Sequence, residues 1–136
     1  ICVNLGNDLN SYAMSKHAIN WFEIPVADFE RARKFYSHIL DFEMIDMLMD
    51  NDRLGFFPSE AGSVSGAIVS GKIYHPNDQG VIIYLNCGDD LSVVLNKVEA
   101  AGGIINKPKT IITPEHGYYA FIIDTEGNKI GLHSHH

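Results

Sequence analysis

One pattern limits the folds open to this chain more than any other: an alternating, strand-like run passes directly into an amphipathic helix, and it does so twice. In the first instance, Ala18 to Val26 places Phe22, Ile24 and Val26 on one face and Trp21, Glu23 and Pro25 on the other, as in a half-buried strand. Asp28 then stands as an N-cap. Phe29, Ala32, Phe35, Tyr36 and Ile39 follow at helical spacing, with Arg31, Arg33 and Lys34 left for solvent. In the second instance Val81 to Cys87 reads as a strand and Asp89 or Asp90 as the cap. Leu91, Val94, Leu95, Val98 and Ala101 form the helical stripe, and Gly102-Gly103 stops it. Phe29 and Leu91 lie 62 residues apart, and so do Ala32 and Val94, which predicts a duplicated module.

Each strand and helix pair is followed by three more short apolar segments. In the first copy these are FEMIDMLMD, RLGFFP and SGAIVSG. In the second they are GIINKPKTII, GYYAFIID and NKIGLHS, the last two joined at Thr125-Glu126-Gly127 by a hairpin-like turn. The expected architecture is α+β: two tandem βαβββ modules, about residues 18–71 and 80–134, forming a curved mixed sheet around a cleft. Pro76 to Gly80 links the copies. At 136 residues the chain suits one domain with a sizeable core. Residues 1–13 read as an extension ahead of a start at Met14-Ser15-Lys16. With one helix covering one face of each small sheet, the other faces are left to meet or to enclose a cavity. Trp21 and Glu23 lie on such a face, and a carboxylate aimed at a concave interior stands out.

Composition excludes several partners. A formal net charge of -7 and the lack of any Lys/Arg cluster argue against nucleic acid, and the excess of carboxylates favours a cationic ligand over an anionic one. No apolar run reaches the roughly 18 residues that span a bilayer, and no basic segment precedes an apolar block at the N-terminus, so a cytoplasmic location without membrane contact is expected. Cys2 and Cys87 fit no metal or redox spacing, which agrees with a reducing compartment. Cys87 reads as a small hydrophobe in a strand.

From Ala18 to Ser134, through NWFEIPVADFERARKFY, VIIYLNCGDDLSVVLNKVEAAGG and GYYAFIIDTEGNKIGLHS, the chain resembles the glyoxalase, bleomycin-resistance protein and extradiol dioxygenase superfamily, the vicinal oxygen chelate proteins. The resemblance implies the paired-module fold. It is weak on reaction, because the superfamily holds lyases, isomerases, ring-cleaving dioxygenases and metal-free drug binders. In its metal-dependent members, His or Glu ligands project into the cleft from the first and last strands of each module. Matched by position, those sites fall here on Trp21, on Ile82 or Ile83, on Gly131, and near Gly66 and Ala67. An indole, alkyl groups and a glycine supply no nitrogen or oxygen lone pair to a divalent ion. A domain lacking the family's metal ligands is therefore expected, with no cofactor; a bound divalent metal is the alternative.

Function then rests on pocket shape and the remaining polar side chains. By strand parity Glu23 points with Trp21, and His133 with Gly131, so both face the cleft. They are candidates for general base and acid, or for hydrogen bonds to a polar ligand; the plainer alternative is a Glu-His pair satisfying itself at the cleft wall. Tyr84 shares the parity of Ile82 and is placed to stack on a ligand. The expected ligand pocket is thus Trp21, Glu23, Tyr84 and His133, holding a small, partly apolar or aromatic molecule. The alternative is a lyase or isomerase that uses Glu23 and His133, or a relocated metal site. His75 and His116 sit beside turn-forming residues, His38 near a helix end, and His135 and His136 in a tail expected to fray. Asp124 to Asn128 resembles a calcium loop only superficially. The family's habits add an expected homodimer.

Overall fold

The computed structural model describes residues 17–136; Cys2, the 1–13 extension and the Met14-Ser15-Lys16 start lie outside the described residues. The first module runs β1 (Trp21–Pro25), α1 (Phe29–Leu40), β2 (Ile45–Met49), β3 (Asp52–Phe56) and β4 (Ser65–Ser70). The second runs β5 (Tyr84–Asn86), α2 (Ser92–Val98), β6 (Ile104–Thr113), β7 (Gly117–Ile123) and β8 (Lys129–Ser134). The strands form two four-stranded sheets of identical topology, ordered β1-β4-β3-β2 and β5-β8-β7-β6. In each, the first strand runs parallel to the last and the other pairs are antiparallel. The tandem βαβββ arrangement predicted from the duplication is the one observed.

Local chemistry explains the first helix. Asp28, in an extended conformation, accepts a hydrogen bond from the Arg31 amide at 3.0 Å, satisfying one of the donors that a helix start leaves orphaned. At the other end Asp41 takes the left-handed conformation (φ 54°), and its N–H donates to the Ser37 carbonyl. The predicted stripe from Phe29 to Ile39 is buried in full.

The second helix differs from expectation at both ends. Asp90 sits one residue ahead of the cap position, where it accepts from the Ser92 amide at 2.8 Å, while the Leu91 amide donates to Ser134 Oγ at 2.9 Å. A serine at the end of a distant strand therefore does part of the capping. The Lys109 ammonium beside Asp90, together with Ser92, holds that carboxyl down to about 2. The helix ends at Val98, and Gly102 turns the chain with φ 98°. Gly103 has a separate role: a Cβ there would come within 2.8 Å of Phe35 Cε2 and Val98 Cγ1, so its bareness lets α1 approach α2. The strand expected over 81–87 is regular only from Tyr84 to Asn86, although Ile83 and Cys87 each keep one ladder hydrogen bond to β8.

One hydrophobic core spans both modules, running from Ile24 and Val26 through α1 and α2 to Ala120, Ile122 and Leu132. The modules meet through their helices, and beside that contact lies a polar clasp. Tyr36, fully buried, donates to Asp124 Oδ2 at 2.6 Å. Burial raises its phenol pKa well above the ordinary value, so it remains the donor. Glu126, in the β7-β8 turn, accepts from the Ala27 and Asp28 amides at 3.0 and 2.7 Å and from Arg31 Nε and Nη2 at 2.8 and 3.1 Å. Asn128 Nδ2 donates to the Pro25 carbonyl at 2.7 Å. The stretch that superficially resembles a calcium loop is thus a joint: Asp124 Oδ1 accepts from the Glu126 and Asn128 amides at 2.9 Å and shapes the turn. Among the described residues no buried side-chain nitrogen or oxygen lacks a partner, and no helix is long and apolar enough to cross a membrane.

Burial pushes the Glu126 carboxyl up, but the bonds from Arg31, Asp28 and Thr125 outweigh it and leave the group below its ordinary value of 4.5. A depressed folded-state pKa means stability that is present at neutral pH and lost as pH falls through that folded value. Glu126→Gln should therefore cost about 2 kcal/mol at pH 7, the scale of a hydrogen bond to a charged group. That difference should shrink as pH falls below the ordinary value of 4.5 and on through the depressed folded-state value, where the wild-type carboxyl protonates. Urea midpoints of the two proteins measured across this range check it; a difference that is independent of pH would refute the clasp's ionic character.

Candidate functional site

The sheet faces away from the helices carry the four expected pocket residues, Trp21, Glu23, Tyr84 and His133. In sheet one, the register sets Trp21 beside Ser65 and Glu23 beside Ala67, with Phe56 next to Ala67 on the far side. In sheet two, Tyr84 lies beside Gly131, and Asn86 beside His133. Glu23 and Tyr84 therefore occupy equivalent places, each next to a small last-strand residue of its module, Ala67 or Gly131. Trp21 corresponds to Ile82, because Ile83 packs into the core and Ile82 has the opposite parity.

Face one is largely apolar and carries two acids, Glu23 and, by the parity of Leu54 and Phe56, Asp52. Trp21 remains 43% exposed and tilts against Phe56, ring centroids 6.1 Å apart. Ile45 and Met47 stand exposed on the same face by pairing with Phe56 and Leu54. A residue missed by sequence reading, Tyr74 of the inter-module linker, packs on a small cluster of Leu54, Ala67 and Val69. Its hydroxyl donates to Glu23 Oε1 at 2.9 Å. That contact, led by the hydrogen bond to Glu23, raises the Tyr74 phenol pKa, so the phenol stays a donor. Its only advance signal was a tyrosine just ahead of the polar Pro76 to Gly80 link.

Face two is aromatic and basic. The Tyr84 ring, 52% exposed, lies across Gly131: a Cβ at Gly131 would collide with it. Tyr84 and Phe121 have centroids 5.9 Å apart, and Phe121 and Tyr119 5.4 Å. Lys129 Nζ stands 4.9 Å from the Phe121 ring centroid and Lys107 Nζ 5.1 Å from that of Tyr119. His133 Nε2 lies 2.6 Å from the His116 carbonyl, which can only accept, so Nε2 carries the proton and Nδ1 is left for other partners. The neighbouring His135 ring packs edge-on to it at 5.5 Å. The tail expected to fray is pinned: the His136 amide donates to the Asp89 carbonyl at 2.9 Å, and Ser134 Oγ to the His136 carbonyl at 2.8 Å.

The candidate residues thus divide between two faces, Trp21 and Glu23 on one, Tyr84 and His133 on the other. Glu23 and His133 share no hydrogen bond, and each is engaged elsewhere, so the self-satisfying Glu-His pair is not what the structure contains. Where the two sheets adjoin, a cavity of about 150 Å³ is lined by Glu23, Pro25, Gln79, Val81, Ile83 and Lys129, among others. Among the described residues no group of three or more His, Cys, Asp or Glu side chains converges as a metal ion requires. The metal of metal-dependent superfamily members does not fit this donor set: the space beside Gly131 is taken by the Tyr84 ring, and the equivalent space beside Ala67 adjoins a carboxylate held by a phenol. Cys87 is half-buried, and burial pushes its thiol up to about 11, which suits an inert packing group.

The seating of Tyr84 on Gly131 has a measurable consequence. Gly131→Ala should destabilise by about 1 kcal/mol, since the added methyl displaces the ring. In a Tyr84→Ala background the same change should cost little. A double-mutant cycle on chemical denaturation should give a coupling of roughly 0.5 to 1 kcal/mol, whereas additive effects would mean that the ring does not rest there.

Comparison with known proteins adds to this geometry. No curated protein matches the chain. Among solved structures, it is similar to TnmS3, an antibiotic binding protein from Streptomyces sp. CB03234, at 25% identity over 87% of this chain and 95% of that one, with a TM-score of 0.62. It is also similar to a glyoxalase/bleomycin resistance protein from the same organism, at 25% identity over 84% and 97%, TM-score 0.63. A glyoxalase/bleomycin resistance protein from Albidiferax ferrireducens T118 shares the fold at 16% identity over 87% and 98%, TM-score 0.65. The Glyoxalase family model matches residues 18–132, nearly the whole of both modules. The chain belongs to the Glyoxalase/Bleomycin resistance protein/Dioxygenase superfamily.

Proposed function

We propose that this protein is a binding domain for a small, partly apolar or aromatic molecule, and that two copies together build the cleft that holds it. The observation that carries this reading is the exposure of aromatic side chains at and beside the matched ligand positions: Trp21 on one of them with Phe56 next to it, and Tyr84 lying across another, Gly131, next to Phe121. Exposed aromatic and methionine side chains on a concave or flat sheet are what a stacking ligand or a second protein surface covers. Within one chain the modules join by their helices, so neither face closes over the other. Face one, with Glu23, complements face two, with Lys107 and Lys129, in both shape class and charge, which a two-fold dimer would exploit twice.

Binding is preferred to turnover on two grounds. The carboxylate and imidazole that an isomerase or lyase would use as base and acid are each hydrogen-bonded to a group outside the opposite face. The likeness to an antibiotic binding protein supports the same choice.

The chain has one tryptophan, so its emission reports on face one directly. Screening mono- and bicyclic aromatic compounds by thermal shift should find binders that also quench Trp21. Light scattering should give a dimer that Trp21→Lys weakens about tenfold or more, as expected for an aromatic anchor at an interface. A monomer at high concentration, with Trp21 emission indifferent to every compound, would refute both parts.

A further inference from the structure

We infer that the ligand of this cleft is anionic: face two takes a planar aromatic carboxylate, its ring on the strip formed by Tyr84, Phe121 and Tyr119 and its carboxylate between Lys107 and Lys129. The inference rests on the binding reading above and adds the charge of the ligand to it.

The strand register creates the arrangement. Tyr84, Gly131, Phe121 and Lys107 form one row across β5, β8, β7 and β6, all pointing to the face away from the helix. Tyr119 and Lys129 flank that row on the same face, one step along their strands. Because Gly131 has no side chain, Tyr84 can lie down beside Phe121, so that the strip is continuous from Tyr84 to Tyr119.

Charge and setting together distinguish the two lysines. Arg31, Arg33, Arg53 and Lys109 each have a carboxylate partner within 4.0 Å, whereas among the described residues Lys107 and Lys129, like Lys34, Lys72 and Lys97, have none; of these five only Lys107 and Lys129 stand over aromatic rings. This occurs in a chain with 17 acidic and 10 basic residues, where carboxylates are in excess. Instead, both ammonium groups rest over ring faces, whose quadrupole attracts a cation only weakly when solvent is near. Such cations are poised for an anion: swinging from ring face to carboxylate exchanges a weak contact for a charge-assisted hydrogen bond while the rings remain free to stack. The cationic ligand suggested by net charge is thus opposed by the local field of the face that would receive it.

Calorimetric titration of the full chain with three probes of one shape tests this: 2-naphthoate, 2-naphthalenemethanol and 2-naphthylmethylammonium. Naphthoate should bind about tenfold more tightly than the alcohol, the effect of one charge-assisted contact, and the ammonium probe least tightly. The preference should fade as salt is raised. In Lys107→Met/Lys129→Met, which keeps the apolar stems, the ratio of naphthoate to alcohol affinity should fall to near one, with the folded state checked by circular dichroism. If the alcohol or the ammonium probe binds as tightly as naphthoate, or if the double variant keeps the preference, the anionic assignment is overturned while the aromatic binding reading stands. If none of the three binds, both fall together.

Discussion

The buried carboxylate of Glu126 decides how this molecule presents itself. It sits in the turn between the last two strands, its side chain wholly inaccessible, and accepts two amide protons and two guanidinium bonds from the opposite end of the chain. A carboxylate at a helix N-terminus is favourable twice over, through the unpaired amides and through the helix dipole. With Tyr36 on Asp124 and Asn128 on Pro25, it fixes the second module's hairpin against the start of the first module's helix. The modules are consequently joined by their helical sides, and both open sheet faces point outward.

That outward arrangement gives the two faces different chemistry on the same scaffold. The equivalent first-strand positions hold Glu23 in one module and Tyr84 in the other, beside Ala67 and Gly131. In module one the acid stays exposed and accepts a hydrogen bond from the phenol of Tyr74. In module two the glycine allows a ring to spread across the place where a superfamily ligand would project. A duplicated fold has thus been filled with one largely apolar, acidic half and one aromatic, basic half. Within one chain the two halves adjoin only at their edge, where Glu23 and Lys129 line the same small cavity.

Much of this was legible in advance. Period-two alternation in Ala18 to Val26 placed Trp21 and Glu23 on the open face, and the 3.6 period placed Phe29 to Ile39 in the core, because each pattern is imposed by local backbone geometry. The extent of β5 was harder to see, since Val81 to Ile83 are as apolar as a strand but only Ile83 finds a ladder partner. The contrast between Gly102 and Gly103 also needed coordinates: side by side in sequence they read as one stop signal, yet one serves backbone conformation and the other serves interhelical approach.

The sequence by itself determined the two-module α+β fold, the faces of its strands and helices, and the replacement of superfamily metal-ligand types by an indole, alkyl groups and a glycine. The fold and its faces follow from residue type and periodicity, and the ligand replacement from the superfamily resemblance. Only the tertiary structure decided that Glu126 is a clasp, that Ser134 caps a helix 43 residues away, that Tyr74 donates to Glu23, and that Lys107 and Lys129 stand over one aromatic strip. Such contacts join residues far apart in the chain, where no repeat relates the partners. They depend on register and on the angle at which the helices pack, which local propensities leave open.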